Sequence, residues 1–179
     1  MQQTLDALGR GIRHCVRCER CHTRRHAVPG EGAARCRALL LGEAPGKIED
    51  ELGRPFVGRT GQWLDRLFLE HGVVRDDVFI TGILKCYHPE PPKPHQIVAC
   101  KPWTLQQIGV LKPRLILVMG LAAASGMLGM KALGEKELVT EWQGIPCVVT
   151  CHPTAAMRFP RSGERFRRDF RRFMRVVSS

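Results

Sequence analysis

Two loops of this sequence carry side chains whose types and positions suit a catalytic or ligand-binding site. Glu43 stands in Gly42-Glu43-Ala44-Pro45-Gly46, directly after the apolar run 38–41. That run reads as a buried parallel strand, and open α/β sheets bind ligands just beyond the carboxyl ends of such strands. Glycines there admit a ligand against the backbone and prolines stiffen the loop. Glu43 therefore falls where a catalytic carboxylate would be placed. Phe56, in Arg54-Pro55-Phe56-Val57-Gly58, offers an aromatic platform nearby. His152-Pro153 follows a second apolar run, 147–150, and so reaches the same rim of the sheet. A ring fixed at the start of a turn there can donate a hydrogen bond to a ligand or to a developing anion.

A third set is made of cysteines, of which the chain has eight. Cys15 and Cys18 form a C-x2-C knuckle, Cys86 closes Leu84-Lys85-Cys86, and Cys100 follows a proline-rich turn. Four thiolates can hold a tetrahedral zinc or an iron–sulfur cluster. The spacing leaves both open, and the widely spaced second pair leans towards a cluster larger than one ion. Cys21 is a competing ligand, whereas Cys36, Cys147 and Cys151 lie in or beside strands and read as small core residues. No secretion signal precedes them, which argues against a disulfide framework.

The elements that must position these residues are predicted from periodicity. An amphipathic helix over 5–12 precedes the cysteine-rich connector 15–32. Strands are predicted at 37–41, 78–83, 115–119 and 147–150, with helices at 61–71, 95–110, 121–128 and 164–177. This alternation predicts an α/β fold, a three-layer α/β/α arrangement with a central four-stranded, mostly parallel sheet. Residues 90–94 form a stiff connection, and 131–141 is predicted to be a polar, exposed excursion. In the last helix Phe166, Phe170 and Phe173 recur at helical spacing and mark its buried face. The whole of 1–179 reads as one domain.

Lysine and arginine number 28 against 17 acidic residues, a net charge of +11. Such an excess favours polyanionic partners through counterion release, and arginine offers phosphate a planar fork of donors. With no apolar run long enough to span a membrane, the chain is expected to be soluble and cytoplasmic. Met157, unbranched and next to Arg158, has the profile of a wedge between base steps.

Taken together, these motifs resemble the uracil-DNA glycosylase superfamily, specifically the family 4 iron–sulfur enzymes of bacteria and archaea. The resemblance runs through Cys15-x2-Cys18, Gly42 to Gly46, Glu49-Asp50, Arg54 to Gly58 with Gly61, Lys85-Cys86, Cys100, and His152-Pro153 with Arg158. It implies a [4Fe–4S] cluster of structural role on Cys15, Cys18, Cys86 and Cys100. It further implies a monomer that removes uracil, or a related deaminated base, from DNA. Glu43 would position or activate water, and His152 would bond to the base O2. Phe56 would stack on the flipped base, Glu49 would flank its C5 edge, and Gly42, Ala44 and Gly82 would line it. Lys85, Ala156, Met157 and Arg158 would meet the DNA.

One position departs from the family pattern. The asparagine usual in Thr-Asn-x-x-Lys-Cys is replaced, since this chain has Thr81-Gly82-Ile83-Leu84-Lys85-Cys86. A lost reader of the base edge weakens discrimination and leaves room for a bulkier base such as hypoxanthine or xanthine. It equally suits a catalytically weak iron–sulfur DNA-binding module. No basic insertion follows Val57-Gly58, and position 43 is Glu rather than Gln; both argue against the branch that traps uracil-DNA covalently.

Overall fold

The computed structural model describes residues 1–134 and 138–177. Its centre is a five-stranded sheet in the order β2-β1-β3-β5-β4, with β1 at Ala38–Gly42, β2 at Val78–Gly82, β3 at Leu115–Met119, β4 at Leu138–Trp142 and β5 at Ile145–Thr150. β1, β2, β3 and β5 are parallel, and β4 runs antiparallel to β5. The predicted four-stranded sheet therefore has a fifth strand. Its source is Gln143-Gly144, both at positive φ (48° and 81°), the backbone that a two-residue hairpin requires. Of the expected polar excursion, Leu138 to Glu141 belong to this edge strand, 131–134 lie outside any helix or strand, and 135–137 lie outside the described residues.

Alternation along the strands divides the core in two. Leu39, Leu41, Ile116, Val118, Cys147 and Val149 pack in one layer. α1 (Gln2–Arg13) and α4 (Pro94–Leu111) supply that layer's helical partners, as does α5 (Leu121–Leu128). Ala38, Leu40, Leu117, Met119 and Val148 pack in the other. There α3 (Arg59–Glu70) and α7 (Pro160–Val177) cover the sheet. Two short helices complete the set, α2 (Lys47–Leu52) and α6 (Pro153–Arg158). Pro94 opens α4, a position where its missing N–H costs nothing, so the stiff connection ends one residue earlier than predicted.

One edge of the sheet is covered. β2 is covered by the connector, where Glu31 and Ile80 exchange backbone bonds of 2.9 and 2.8 Å, which removes a free pairing edge. On α7 the aromatic face is buried as its spacing predicts: Phe166, Phe170 and Phe173 are all 0% exposed. Phe170 meets the Phe68 ring at 5.3 Å and the Phe166 ring at 5.8 Å. Phe170→Ala is expected to cost about 3–5 kcal/mol, read as a lower urea midpoint with an unchanged slope.

Candidate active site

β1 pairs with β2 on one side and β3 on the other, so the loops that leave β1 and β3 diverge. Such a switch point opens a crevice at the carboxyl ends of the strands. A cavity of about 150 Å³ lies there, lined by Ala44, Glu49, Phe56, Gly82, His152 and neighbouring loop residues. An apolar cavity of about 150 Å³ accommodates a single benzene ring, so this one is sized for one six-membered ring.

Phe56 forms one wall by an unusual route. Its φ is 49°, a left-handed conformation that costs a bulky side chain of order 1–3 kcal/mol. Arg75 holds it there: Nη1 donates to the Phe56 carbonyl at 3.1 Å and to Asp65 at 2.9 Å. The same guanidinium also donates to the Pro55 carbonyl, and its Nε pairs with Glu31 at 2.8 Å. Glu31 in turn takes Arg54 through bonds of 2.8 and 3.0 Å. The Phe56 ring then lies on Gly42, where any Cβ would meet it at 2.5 Å. Gly42 thus lies beneath the platform and is not itself among the cavity's lining residues.

Glu49 lines the cavity, and its Oε1 accepts the Val57 and Gly58 N–H groups at 2.9 and 2.8 Å. The carboxylate therefore fixes the turn between Phe56 and α3 as well as facing the ligand space. Asp50, beside it, accepts the Arg25 and His26 N–H groups and ties down the connector.

His152 caps α6. Its Nδ1 accepts the Thr154 N–H at 3.2 Å, which leaves the ring proton on Nε2 as a free donor. Burial pushes its pKa down, so the ring is neutral at physiological pH. Gly120, at φ 88°, makes room for it: a Cβ there would come within 3.1 Å of the imidazole's own Cβ.

Glu43 is placed differently. It lines the adjoining groove, with Pro91, Pro94, Ile97, Lys101 and Leu121, instead of the one-ring cavity. Burial pushes its pKa up, opposed by the charge of Arg20.

Three sequence expectations need correction. Lys85 is 1% exposed and meets no DNA: its ammonium donates to Thr81 Oγ1 at 2.7 Å, the Gly82 carbonyl at 2.8 Å and Gln107 Oε1 at 2.8 Å. Ala156 is buried at 7%, packed in the core next to α7, and reaches no duplex. Gly82 leaves no extra room, because the space its side chain would fill is taken by the Leu84 carbonyl at 2.7 Å and the Glu43 carbonyl at 3.1 Å. Met157 and Arg158 are exposed as expected, and Phe159, which the sequence reading passed over, is 53% exposed beside them. Its position between Arg158 and Pro160 was the available signal.

Cys15, Cys18, Cys86 and Cys100 are linked by the effects of their charges on one another. Burial raises the Cys18, Cys86 and Cys100 thiols, Cys100 to about 11, and Cys86 feels the charges of both Cys15 and Cys18. Cys100 feels those of Cys86 and Cys18. Two sulfurs already accept N–H donors: Trp103 Nε1 to Cys15 at 3.2 Å and Arg24 Nη1 to Cys86 at 3.1 Å. Such donors stabilise ligating thiolates. Among the described residues no group of three or more His, Cys, Asp or Glu side chains is arranged to hold a single metal ion. Four neighbouring cysteines with sulfur-directed donors fit a larger thiolate-bound cluster. A polar clamp joins the turn that follows Cys18 to α4: Gln96 and His95 hold the Glu19 carboxyl down to about 2, through bonds of 2.7 and 2.8 Å.

The mostly parallel α/β sheet thus carries at its rim a one-ring cavity with an aromatic wall and an imidazole donor, and a carboxylate in a neighbouring groove. Residues 29–176 match the family model for the Uracil DNA glycosylase superfamily, and the chain belongs to that superfamily. It is 38% identical to the type-4 uracil-DNA glycosylase of Pyrobaculum aerophilum, over 94% of this chain and 92% of that one. It is 35% identical to the type-4 uracil-DNA glycosylase of Saccharolobus solfataricus (98% and 87%) and 32% identical to that of Thermotoga maritima (88% and 85%).

The raised pKa of Glu43 has a consequence for stability. Burial disfavours the ionised form of Glu43 in the folded state, whereas the unfolded chain solvates it freely, so ionisation opposes folding. Glu43→Gln is expected to raise Tm at pH 7. The gain should shrink as pH falls through the raised pKa towards the ordinary value of 4.5, where both states bind the proton. Parallel melts of the two proteins across that range check it.

Proposed function

We propose that this chain is a monofunctional DNA glycosylase that hydrolyses uracil from DNA and leaves an abasic site, acting as a single-domain, cytoplasmic monomer. The observation that carries this reading is the one-ring cavity walled by Phe56 and faced by His152, with Glu43 just outside it. A base in duplex DNA must leave the stack before it can be cut, at a cost of a few kcal/mol. Phe56, already locked in place, offers the replacement stacking surface at no further conformational cost. Cleavage of the N-glycosidic bond leaves negative charge on the base and oxocarbenium character on the sugar. His152, neutral and with Nε2–H free, donates to the base O2 as that charge grows. Glu43 orients the attacking water, takes its proton, and its raised pKa suits it to do so. Met157 and Phe159 are placed to fill the gap in the stack, and Arg158 to contact the strand.

We assign a [4Fe–4S] cluster to Cys15, Cys18, Cys86 and Cys100. When bound it supplies a structural crosslink among α1, the loop after β2, and α4. Cys21 is left outside this set: Cys15, Cys18 and Cys86 are among the charges that act on Cys18, Cys86 or Cys100, and Cys100 and Cys86 both act on Lys85. The purine alternative is less favoured, since backbone fills the space beside Gly82 and the cavity takes one ring.

The direct test is incubation with uracil-containing oligonucleotides followed by alkali. The native protein is expected to cut at uracil, and Glu43→Gln to lose about 10²- to 10⁴-fold in kcat while iron and sulfide content stays the same. Absence of cleavage by cluster-loaded native protein on single- and double-stranded substrates would refute the activity. Arg75→Ala frees the Phe56 loop from its left-handed conformation. A loss of about 10- to 100-fold in kcat/KM is expected, from the 1–3 kcal/mol stored there, and an unchanged value would show that the lock is not used.

A further inference from the structure

Arg20, in the turn that follows Cys18, is a buried cation, 1% exposed. Its Nε donates to the Cys86 carbonyl at 3.1 Å and its Nη1 to Gln96 Oε1 at 3.0 Å. Both partners are neutral, and among the described residues no carboxylate forms an ion pair with it. A guanidinium stays charged when buried, and a buried charge without a counter-charge is costly. The anionic groups that act on it are Cys18, Cys86, Glu43 and Cys100. One of these four is the carboxylate of the candidate active site.

The hydrogen bonds of Arg20 bracket Glu43. Cys86, whose carbonyl it holds, lies two residues beyond Leu84, and the Leu84 N–H bonds to the Glu43 carbonyl at 2.9 Å. Gln96, its other partner, stands between Pro94 and Ile97, which line the Glu43 groove. The guanidinium therefore lies behind the groove wall, between the cysteine site and Glu43. Lys101, on α4, is the one cation among the residues that line the groove itself. Glu43 has need of such a neighbour. Only the ionised carboxylate can take a proton from water, and burial disfavours that form while the charge of Arg20 favours it.

We propose that Arg20 is a positioning residue for the reaction, a buried counter-charge that keeps Glu43 ionised. Its purpose rests on the glycosylase reading, whereas the pairing itself can be read without turnover.

The test uses the full cluster-loaded protein as native, Arg20→Gln and Arg20→Lys, with iron and sulfide measured in each. Single-turnover excision of uracil is followed across pH. The acid limb of the rate profile is expected to move to higher pH in Arg20→Gln. It should return towards the native position in Arg20→Lys, which restores the charge, and Lys101→Gln should move it less. In a second arm, melts at pH 7 compare the effect of Glu43→Gln in the native and Arg20→Gln backgrounds. Without the counter-charge an ionised Glu43 is costlier to bury, so the Tm gain from Glu43→Gln should be larger in the Arg20→Gln background. Arg20→Met, also neutral, keeps both arms readable if Arg20→Gln loses iron. A uniform loss of rate with the limb unmoved, equal Tm gains in the two backgrounds, or a larger shift from Lys101→Gln would overturn the assignment even if uracil is excised. If native protein excises nothing while the Tm gains differ, the activity fails and the pairing stands.

Discussion

The ammonium of Lys85 is the fixed point on which both halves of the site depend. It is buried beside Cys86 and Cys100, and burial pushes its pKa down to about 7. Three acceptors satisfy it: the Thr81 hydroxyl, the Gly82 carbonyl and Gln107. Thr81 Oγ1 and Gln107 Nε2 then both donate to the Pro29 carbonyl, at 2.9 and 2.7 Å. One cation thus joins β2, α4 and the connector, and leaving such buried groups unpaired costs about 1–3 kcal/mol each. The chain reaches the cysteine site one residue after Lys85 and the base cavity three residues before it. One short segment, Gly82 to Cys86, thus contributes to both sites.

Across the cavity a second network does comparable work. Glu31, Arg54, Arg75 and Asp65 hold the 54–56 loop, and Glu49 fixes the turn that follows it. Their combined effect is to keep Phe56 in a conformation it would not choose. The wall is therefore rigid before any base arrives, and a stacking surface that needs no ordering loses no binding energy to it. The strain sits at the recognition surface and is offset by ion pairs around it.

Much of this was legible in the sequence. Short continuous apolar runs located β1, β2, β3 and β5, and Phe166, Phe170 and Phe173 marked the inner face of α7. Glycine-rich loops after strands located Glu43 and His152 on one rim. What escaped depends on packing that sequence spacing does not carry. Lys85 looked like a surface cation because nothing nearby in sequence reveals that Gln107 and Pro29 close over it. Gly82 looked like an empty place because the approach of the Leu84 carbonyl is visible only in three dimensions. β4 was hidden by a polar, half-exposed edge, although Gln143-Gly144 carried the hairpin signal. Arg75 lies far from any motif, and only the contacts of its guanidinium reveal that it serves Phe56.

The central claim is that the cavity accepts one pyrimidine ring and that Gly82 does not widen it for purines. Single-turnover excision rates on matched oligonucleotides carrying uracil or hypoxanthine at the same position test this most directly. The account predicts release of uracil, with hypoxanthine more than about 100-fold slower. Hypoxanthine released as fast as uracil, or faster, would contradict it.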